Sequence, residues 1–465
     1  MKEQTKKTLW GISIGLVMML LIAYIPPTTD MMSRQSWQYL GCFTFLIICL
    51  ISNALPDWVA TLATMVLLLV FKIATVSTVT SQFAGTTVWL CIGVFIMSAA
   101  INNSGFMKRL ALLMLTKFSG TYRGQVTAMM LAGLITTPLI PSSYAKTSIM
   151  APLIGQVCEA VGVKPNSKQA RGIWFANFAG TYLLGAAFMS GSAFVAIMIG
   201  FMHDISFTWG AWIKCTCVWY IVLIVLTYVY CAFICAPKEK LSGDVGFLKE
   251  QYAALGKATL KEKQGLIIVG IAIALWITQP LHGVDASFVA IAADVAFFCC
   301  GLLSSNDANA KGQWTLVLFI GGVLGISTFM SSTGVSDWLA ALLGPVFAPL
   351  MSSPYIFVPC LCIITYILRY AVVSQTCSLT IMMAVFGPLM NAHGMSMFIL
   401  VFVEWMSSSY WNTAYSSPAV VGFIKLTGDK CIDYPCAQKA SYAYMILNLI
   451  AMTASVPFWR MLGMC

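Results

Sequence analysis

Long apolar runs separated by short polar connectors dominate the chain. The first, Leu9 to Ile25, follows Lys2, Lys6 and Lys7 and stops at Pro26-Pro27. No small-residue cleavage site follows it, so it reads as a retained first helix rather than a signal peptide. Further runs cover roughly 37–54, 58–76, 88–106, 126–163, 172–202, 212–236, 264–280, 287–303, 315–333, 354–396, 397–424 and 440–460. About 20 apolar residues suffice for a membrane-spanning helix. Two runs are too long for one simple span. Thr136-Thr-Pro138-Leu-Ile-Pro141-Ser-Ser interrupts 126–163, and Val373-Ser-Gln-Thr376 interrupts 354–396. Each reads as two half-helices forming a re-entrant hairpin, and a bare turn at membrane depth must line a cavity or be buried in protein.

Charge placement tests this topology. With the N-terminus inside and both hairpins returning to their own side, the cytoplasmic segments collect twenty of the 26 basic residues. These are Lys2, Lys6, Lys7, Lys108, Arg109, Lys117, Arg123, Lys164, Lys168, Arg171, six Lys in the polar stretch 237–263, Lys311, Lys425, Lys430 and Lys439. Arg34, Lys72, Lys214 and Arg460 fall outside or near outer ends, and Lys146 and Arg369 lie within the broken runs. A wrong span count would scramble this asymmetry. The reading is an all-α polytopic membrane protein of about eleven spans plus two re-entrant hairpins, with its C-terminus outside.

The stretch 237–263, read as a solvated connector, divides the chain into related halves. Val88-Trp-Leu-Cys-Ile-Gly-Val-Phe-Ile-Met, followed by Asn-Asn-Ser-Gly105, parallels Leu316-Val-Leu-Phe-Ile-Gly-Gly-Val-Leu, followed by Ser-Ser-Thr-Gly334. An amphipathic stretch, a broken hairpin and a long run with a polar middle follow in both. On the charge topology the first hairpin opens inward and the second outward. Such an inverted repeat marks secondary transporters with a midplane site between broken helices.

Composition agrees: 59% of residues are hydrophobic and 9% charged, against about 25% charged in average soluble proteins. Soluble enzymes, nucleic-acid-binding proteins and disordered chains are excluded. The net charge of +10 is then a sorting signal. The sixteen Cys contain no CxxC pair and read as small hydrophobes. Three dispersed His (His203, His282 and His393) offer neither metal-ligand spacing nor a nucleophile–base pair, so no enzyme, resident cofactor or certain metal site is expected.

Four small-polar breaks carry the candidate chemistry. The hairpin tips are Pro141-Ser142-Ser143-Tyr144-Ala145-Lys146-Thr147 and Ser374-Gln375-Thr376-Cys377-Ser378. The long run after each tip contains its own break, Met189-Ser190-Gly191-Ser192 and Asn412-Thr413-Ala414-Tyr415-Ser416-Ser417-Pro418. Interrupted helices expose free N–H groups at positive dipole ends. Two tips facing each other would trap a carboxylate or sulfate, and unwound carbonyls beside them could hold Na⁺, near Ser142 and Ser374. The alternative is that Ser and Thr merely pack helices closely. Lys146 and Arg369, one per hairpin, suit a doubly charged anion, or else bond to carbonyls within the hairpins. Glu404 and Asp294 lie in spans as proton carriers or paired carboxylates.

At these tips the sequence resembles the divalent anion:sodium symporter superfamily. The closer likeness is to its anion-permease branch, which includes citrate/succinate antiporters and plastid 2-oxoglutarate/malate translocators. The Pro-Ser-Asn-Thr-Ala-Arg of that branch is matched by Pro141-Ser142-Ser143-Tyr144-Ala145-Lys146, its Ser-Gln-Thr by Ser374-Gln375-Thr376, and its Tyr-Ser-Ser by Tyr415-Ser416-Ser417. A His-Tyr shortly before the second tip becomes Arg369-Tyr370. The resemblance implies a homodimer in the inner membrane and an elevator mechanism with di- or tricarboxylate bound between the tips. It also implies either Na⁺ coupling or exchange. Ser143 and Tyr144 replace Asn-Thr, and the Pro-Pro-Asn turn of the sodium symporters is absent, which favours exchange. Lys146 keeps the charge of the branch's Arg without its fork.

The expected division is scaffold 1–125, transport domain 126–236, cytoplasmic loop 237–263, scaffold 264–353 and transport domain 354–465. Ser142, Ser143, Tyr144, Lys146, Arg369, Ser374, Gln375 and Thr376 are expected around the anion. Ser190, Ser192, Thr413, Tyr415, Ser416 and Ser417 would complete the site or hold a coupling ion. The expected function is secondary transport of di- or tricarboxylates, with exchange favoured. A sodium-coupled dicarboxylate or sulfate symporter and an anion channel are the alternatives.

Overall fold

A computed structural model of the chain describes residues 2–139, 143–202, 207–414, 417–427 and 431–465. Helices follow one another along its whole length. The first four are α1 (Lys2–Tyr24), α2 (Arg34–Ser52), α3 (Asp57–Val70) and the short α4 (Val76–Thr80). A reciprocal Ser33–Ser36 cap starts α2, and Asn53 stops it in the left-handed region at φ +51°. Next come α5 (Thr86–Ser104), α6 (Phe106–Thr116), α7 (Tyr122–Thr136), α8 (Ser143–Ala160) and α9 (Lys168–Phe178). The chain then passes through π and 3-10 turns to Ala187, breaks, and resumes as α10 (Ala193–Gly200) and α11 (Trp209–Val229).

The polar stretch holds α12 (Gly246–Ala254), after which come α13 (Leu260–Ile277), α14 (Gln279–His282), α15 (Ala286–Cys299) and α16 (Ser305–Lys311). The second half closes with α17 (Trp314–Ser332), α18 (Val335–Met351), α19 (Pro354–Ala371), α20 (Gln375–Ala392), α21 (Met397–Ser408), α22 (Pro418–Leu426) and α23 (Tyr434–Met461). Among the described residues α1, α2, α3, α5, the broken α9–α10, α11, α13, α15, α17, the broken α21–α22 and α23 give the eleven expected spans. The pairs α7–α8 and α19–α20 are the two hairpins.

The internal repeat has a backbone signature. Gly105 after α5 and Gly334 after α17 both adopt positive φ, +80° and +73°, where a side chain would be strained. The chain turns there into α6 and α18. The two halves also pack crosswise. A Cβ on Gly93 of α5 would stand 2.7 Å from Ala290 Cβ of α15, and one on Gly322 of α17 would stand 2.5 Å from Thr61 of α3. Such close approach through small residues is how helices associate in lipid. The outer surface is apolar: Val66, Ile221, Val225, Ile267, Ile271, Phe298, Ile367 and Ile446 are all exposed. That is the surface lipid requires and water would not tolerate.

Helices α7–α11 also pack against α19–α23. Buried Trp174 of α9 stacks edge-on against Trp411 and Phe423 of the second half, with 5.8 Å between ring centroids in each pair. Buried Asn448 of α23 accepts from Trp219 Nε1 of α11 at 2.9 Å and donates to Tyr366 of α19 and Ser407 of α21, each at 3.3 Å. A fully hydrogen-bonded polar node in an apolar interior allows one register of those four helices and no other.

The stretch 237–263 keeps its charged residues other than Glu262 exposed, as a solvated connector does, and is also bonded to the body of the protein. Gly243 N–H donates to Gly120 O at 3.1 Å. Arg109 of α6 forks onto both Glu262 oxygens at 3.0 Å and reaches the carbonyls of Leu255, Gly256 and Lys257. The loop is a strap across the α6–α7 junction.

Candidate anion site between the hairpin tips

The first hairpin is stitched to the first broken helix. After α7, Thr137 Oγ1 donates to Gly180 O at 2.6 Å, and Ser190 Oγ donates to Pro138 O at 2.8 Å. Lys146, in the first turn of α8, is 1% exposed, and its Nζ donates to Gly191 O at 2.9 Å. The break holds its shape because two backbones touch: a Cβ on Gly191 would stand 2.4 Å from Gly185 O. Ser192 then caps α10 by accepting from Phe194 N–H at 3.3 Å. Ser142 lies outside the described residues, and Ser143 and Tyr144 are described only as backbone at the start of α8.

Tighter bonding organises the second tip. Ser374 caps α20 by accepting from Cys377 N–H at 3.3 Å. Gln375 Nε2 donates to Trp405 O at 2.9 Å and Ser409 Oγ at 2.8 Å, which ties the tip to the end of α21. Ser374 and Thr376 hydroxyls lie 2.8 Å apart, and Ser374 Oγ donates to Asp57 Oδ2 of α3 at 2.8 Å. One turn further on, Ser378 Oγ donates to buried Glu404 at 2.6 Å. In the second break Asn412 Nδ2 donates to Tyr370 OH at 2.9 Å, and Gln438 Nε2 donates to Asn412 O at 2.6 Å. Thr413 is half-buried beside them, Ser417 is buried immediately before α22, and Tyr415 and Ser416 lie outside the described residues.

The two halves meet at these breaks. Phe194, which opens α10, lies 5.4 Å from Trp405 of α21 between ring centroids, and the Trp405 carbonyl is the one that Gln375 holds. Lys146 therefore connects through Gly191 and α10 to Trp405 and the second tip. Helices α8, α10, α20 and α22 all begin at these breaks, and each brings a positive dipole end there.

Both cations at membrane depth bond to backbone. Alongside the Lys146 bond, Arg369 Nε donates to Ser408 O at 3.1 Å, and its Nη1 donates to Val372 O at 2.7 Å and to Val373 O. Arg369 thus shapes the turn that presents Ser374-Gln375-Thr376. Glu404 is fully buried with Oε2 unpaired among the described residues, as are both carboxylate oxygens of Asp294. The hydroxyl pattern alone did not point to Asp57, Trp405 or Tyr370.

A polar cavity of about 330 Å³ lies between α5, α10, α11 and α15, reaching Met189 beside the first break; Thr86, Thr87, Thr208 and Gln279 also line it. A larger one of about 600 Å³, between the ends of α11, α20 and α23, touches none of the tip residues.

Paired re-entrant hairpins facing paired broken helices define a multi-pass membrane transporter. The match to known proteins narrows this. The sodium:sulfate symporter transmembrane region matches residues 6–465. The chain belongs to that family, within the divalent anion:sodium symporter superfamily and its anion-permease branch. It is a transporter of a divalent-anion family and not an enzyme. It is 26% identical over 420 residues to the inner membrane protein YbhI of Escherichia coli K12, covering 87% of each chain. It is 24% identical to an L-tartrate/succinate antiporter of Escherichia coli O6:K15:H31, covering 79% of this chain and 80% of that protein. In fold it is similar to the crystal structure of the Alcanivorax borkumensis YdaH transporter. That TM-score is 0.56 at 13% identity, over 99% of this chain and 98% of the other.

Proposed function

We propose that this protein exchanges small dicarboxylates across the bacterial inner membrane by an elevator mechanism. The observation that carries the reading is the linkage of both hairpin tips to the first broken helix through Lys146–Gly191, Phe194–Trp405 and Gln375–Trp405. Helix starts supply N–H groups and positive dipole ends to an anion there. Hydroxyls of Ser142, Ser143, Ser374 and Thr376 supply further donors. Lys146 and Arg369 supply the net positive charge that a dianion needs. In this reading Lys146 has donors beyond its bond to Gly191, and Arg369 acts by holding the tip turn in place. Ser190 and Ser192 shape the first break, while Thr413, Tyr415, Ser416 and Ser417 complete the site from the second.

The packing supports a moving body of α7–α11 with α19–α23 against a scaffold of α1–α3, α5, α13, α15 and α17. The antiporter relative supports exchange, while the family's sodium:sulfate description keeps a sodium-coupled symporter as the second reading. The N-terminus is placed inside by the positive charges, and a homodimer follows the family resemblance. Lys146→Ala and Gln375→Ala, reconstituted in proteoliposomes, should each abolish succinate uptake while the protein remains folded in the membrane. Wild-type uptake by both would remove the site.

A further inference from the structure

Asp57 stands where a substrate carboxylate is expected. Its Oδ2 accepts from Ser374 Oγ at 2.8 Å and lies 3.4 Å from Thr376 Oγ1, while the two hydroxyls lie 2.8 Å apart. Asp57 is the first residue of α3 and Ser374 is the cap of α20, so this carboxylate lies at two helix N-termini at once. Helix starts and small hydroxyls are the environment that favours an anion. Asp57 belongs to the scaffold side and the tip to the other body, 317 residues apart in sequence. Among the described residues Arg109–Glu262 is the one ion pair, so no described cation claims Asp57.

We infer that Asp57 is a tethered surrogate for the substrate: it occupies the Ser374/Thr376 hydroxyls when the carrier is empty and must be displaced by an incoming carboxylate. This rests on the anion-site reading above. The consequence is kinetic. A tip bonded to Asp57 couples the moving body to the scaffold, so the empty carrier cannot slide. A substrate carboxylate on the same hydroxyls breaks that link and frees the body. Net flux is then suppressed and exchange is permitted, without any coupling ion. A lone serine-rich tip has no such lock.

Asp57→Asn removes the charge and keeps the size, and Asp57→Glu keeps the charge. Proteoliposomes preloaded with labelled succinate should release it into substrate-free medium about tenfold to a hundredfold faster in D57N than in wild type. That is the ratio corresponding to one hydrogen bond to a charged group. Exchange should persist in D57N, and D57E should restore slow net release. A second measurement uses the wild-type protein and so does not depend on the variants folding. Hydrogen exchange with and without succinate should slow at the amides of 374–378 and quicken at 57–61. Slowing at 374–378 with no change at 57–61, or net release in D57N equal to wild type, overturns the surrogate and leaves the anion site standing. No change at 374–378 overturns the anion site itself.

Discussion

Replacing Arg369 by lysine keeps a positive charge and removes the fork. The guanidinium reaches two separate pieces of backbone, the turn at Val372 and Val373 and the end of α21 at Ser408. A single ammonium on a shorter stem cannot serve both. At least one of the three carbonyls then loses its donor in a site where Arg369 is 1% exposed, so water does not replace it cheaply. Leaving a buried acceptor unsatisfied costs about 1–3 kcal/mol. One of them at about 2 kcal/mol is roughly thirtyfold in an opening equilibrium. Hydrogen exchange at residues 372–378 should therefore quicken by about thirtyfold in R369K, with loss of succinate exchange, while amides around Asn448 keep wild-type protection. Wild-type protection at the tip in a folded R369K protein would refute the view that Arg369 shapes it.

Other consequences are simpler to check. Gly191→Ala places a Cβ 2.4 Å from a backbone oxygen, so a thermal unfolding scan should show a loss of about 1–3 kcal/mol. Gly210→Ala, where nothing lies within 4 Å, should leave the midpoint unchanged or higher. At the strap, burial pushes the Glu262 carboxyl up, but its bonds from Arg109 and the Thr259 amide outweigh this and hold it below the usual range. The contribution is complete above the ordinary glutamate value of about 4.3 and is lost as pH falls through the lower folded value. Limited proteolysis within 237–263 should therefore be fast at neutral pH in Arg109→Ala. In the wild type it should quicken only on acidification below about pH 4.

Much of this architecture was readable from local signals. Gly105 and Gly334 close parallel sequences in the two halves, and both turn out to be left-handed stops. Prolines and serines at 136–143 and 189–192 mark interruptions because each disfavours a continued helix where it stands. What stayed hidden was partnership across sequence. Nothing near Pro56-Asp57 indicates that its carboxylate meets Ser374, because elements far apart in the chain assemble that contact. Lys146 and Arg369 stood out as charges at membrane depth, but whether a buried cation faces a ligand or a carbonyl depends on how each tip turn folds back. The loop at 237–263 reads as solvated from its dense charges, and apart from Glu262 those charges are exposed, but its anchoring is not local. Arg109, 153 residues from Glu262, supplies the pairing that changes it into a strap.

Uptake of labelled succinate into proteoliposomes separates exchange from symport. Three conditions suffice: an inward Na⁺ gradient, unlabelled dicarboxylate inside without a gradient, and neither. Exchange predicts uptake that requires internal dicarboxylate and ignores Na⁺. Uptake driven by Na⁺ into vesicles empty of dicarboxylate would contradict it and make the protein a symporter.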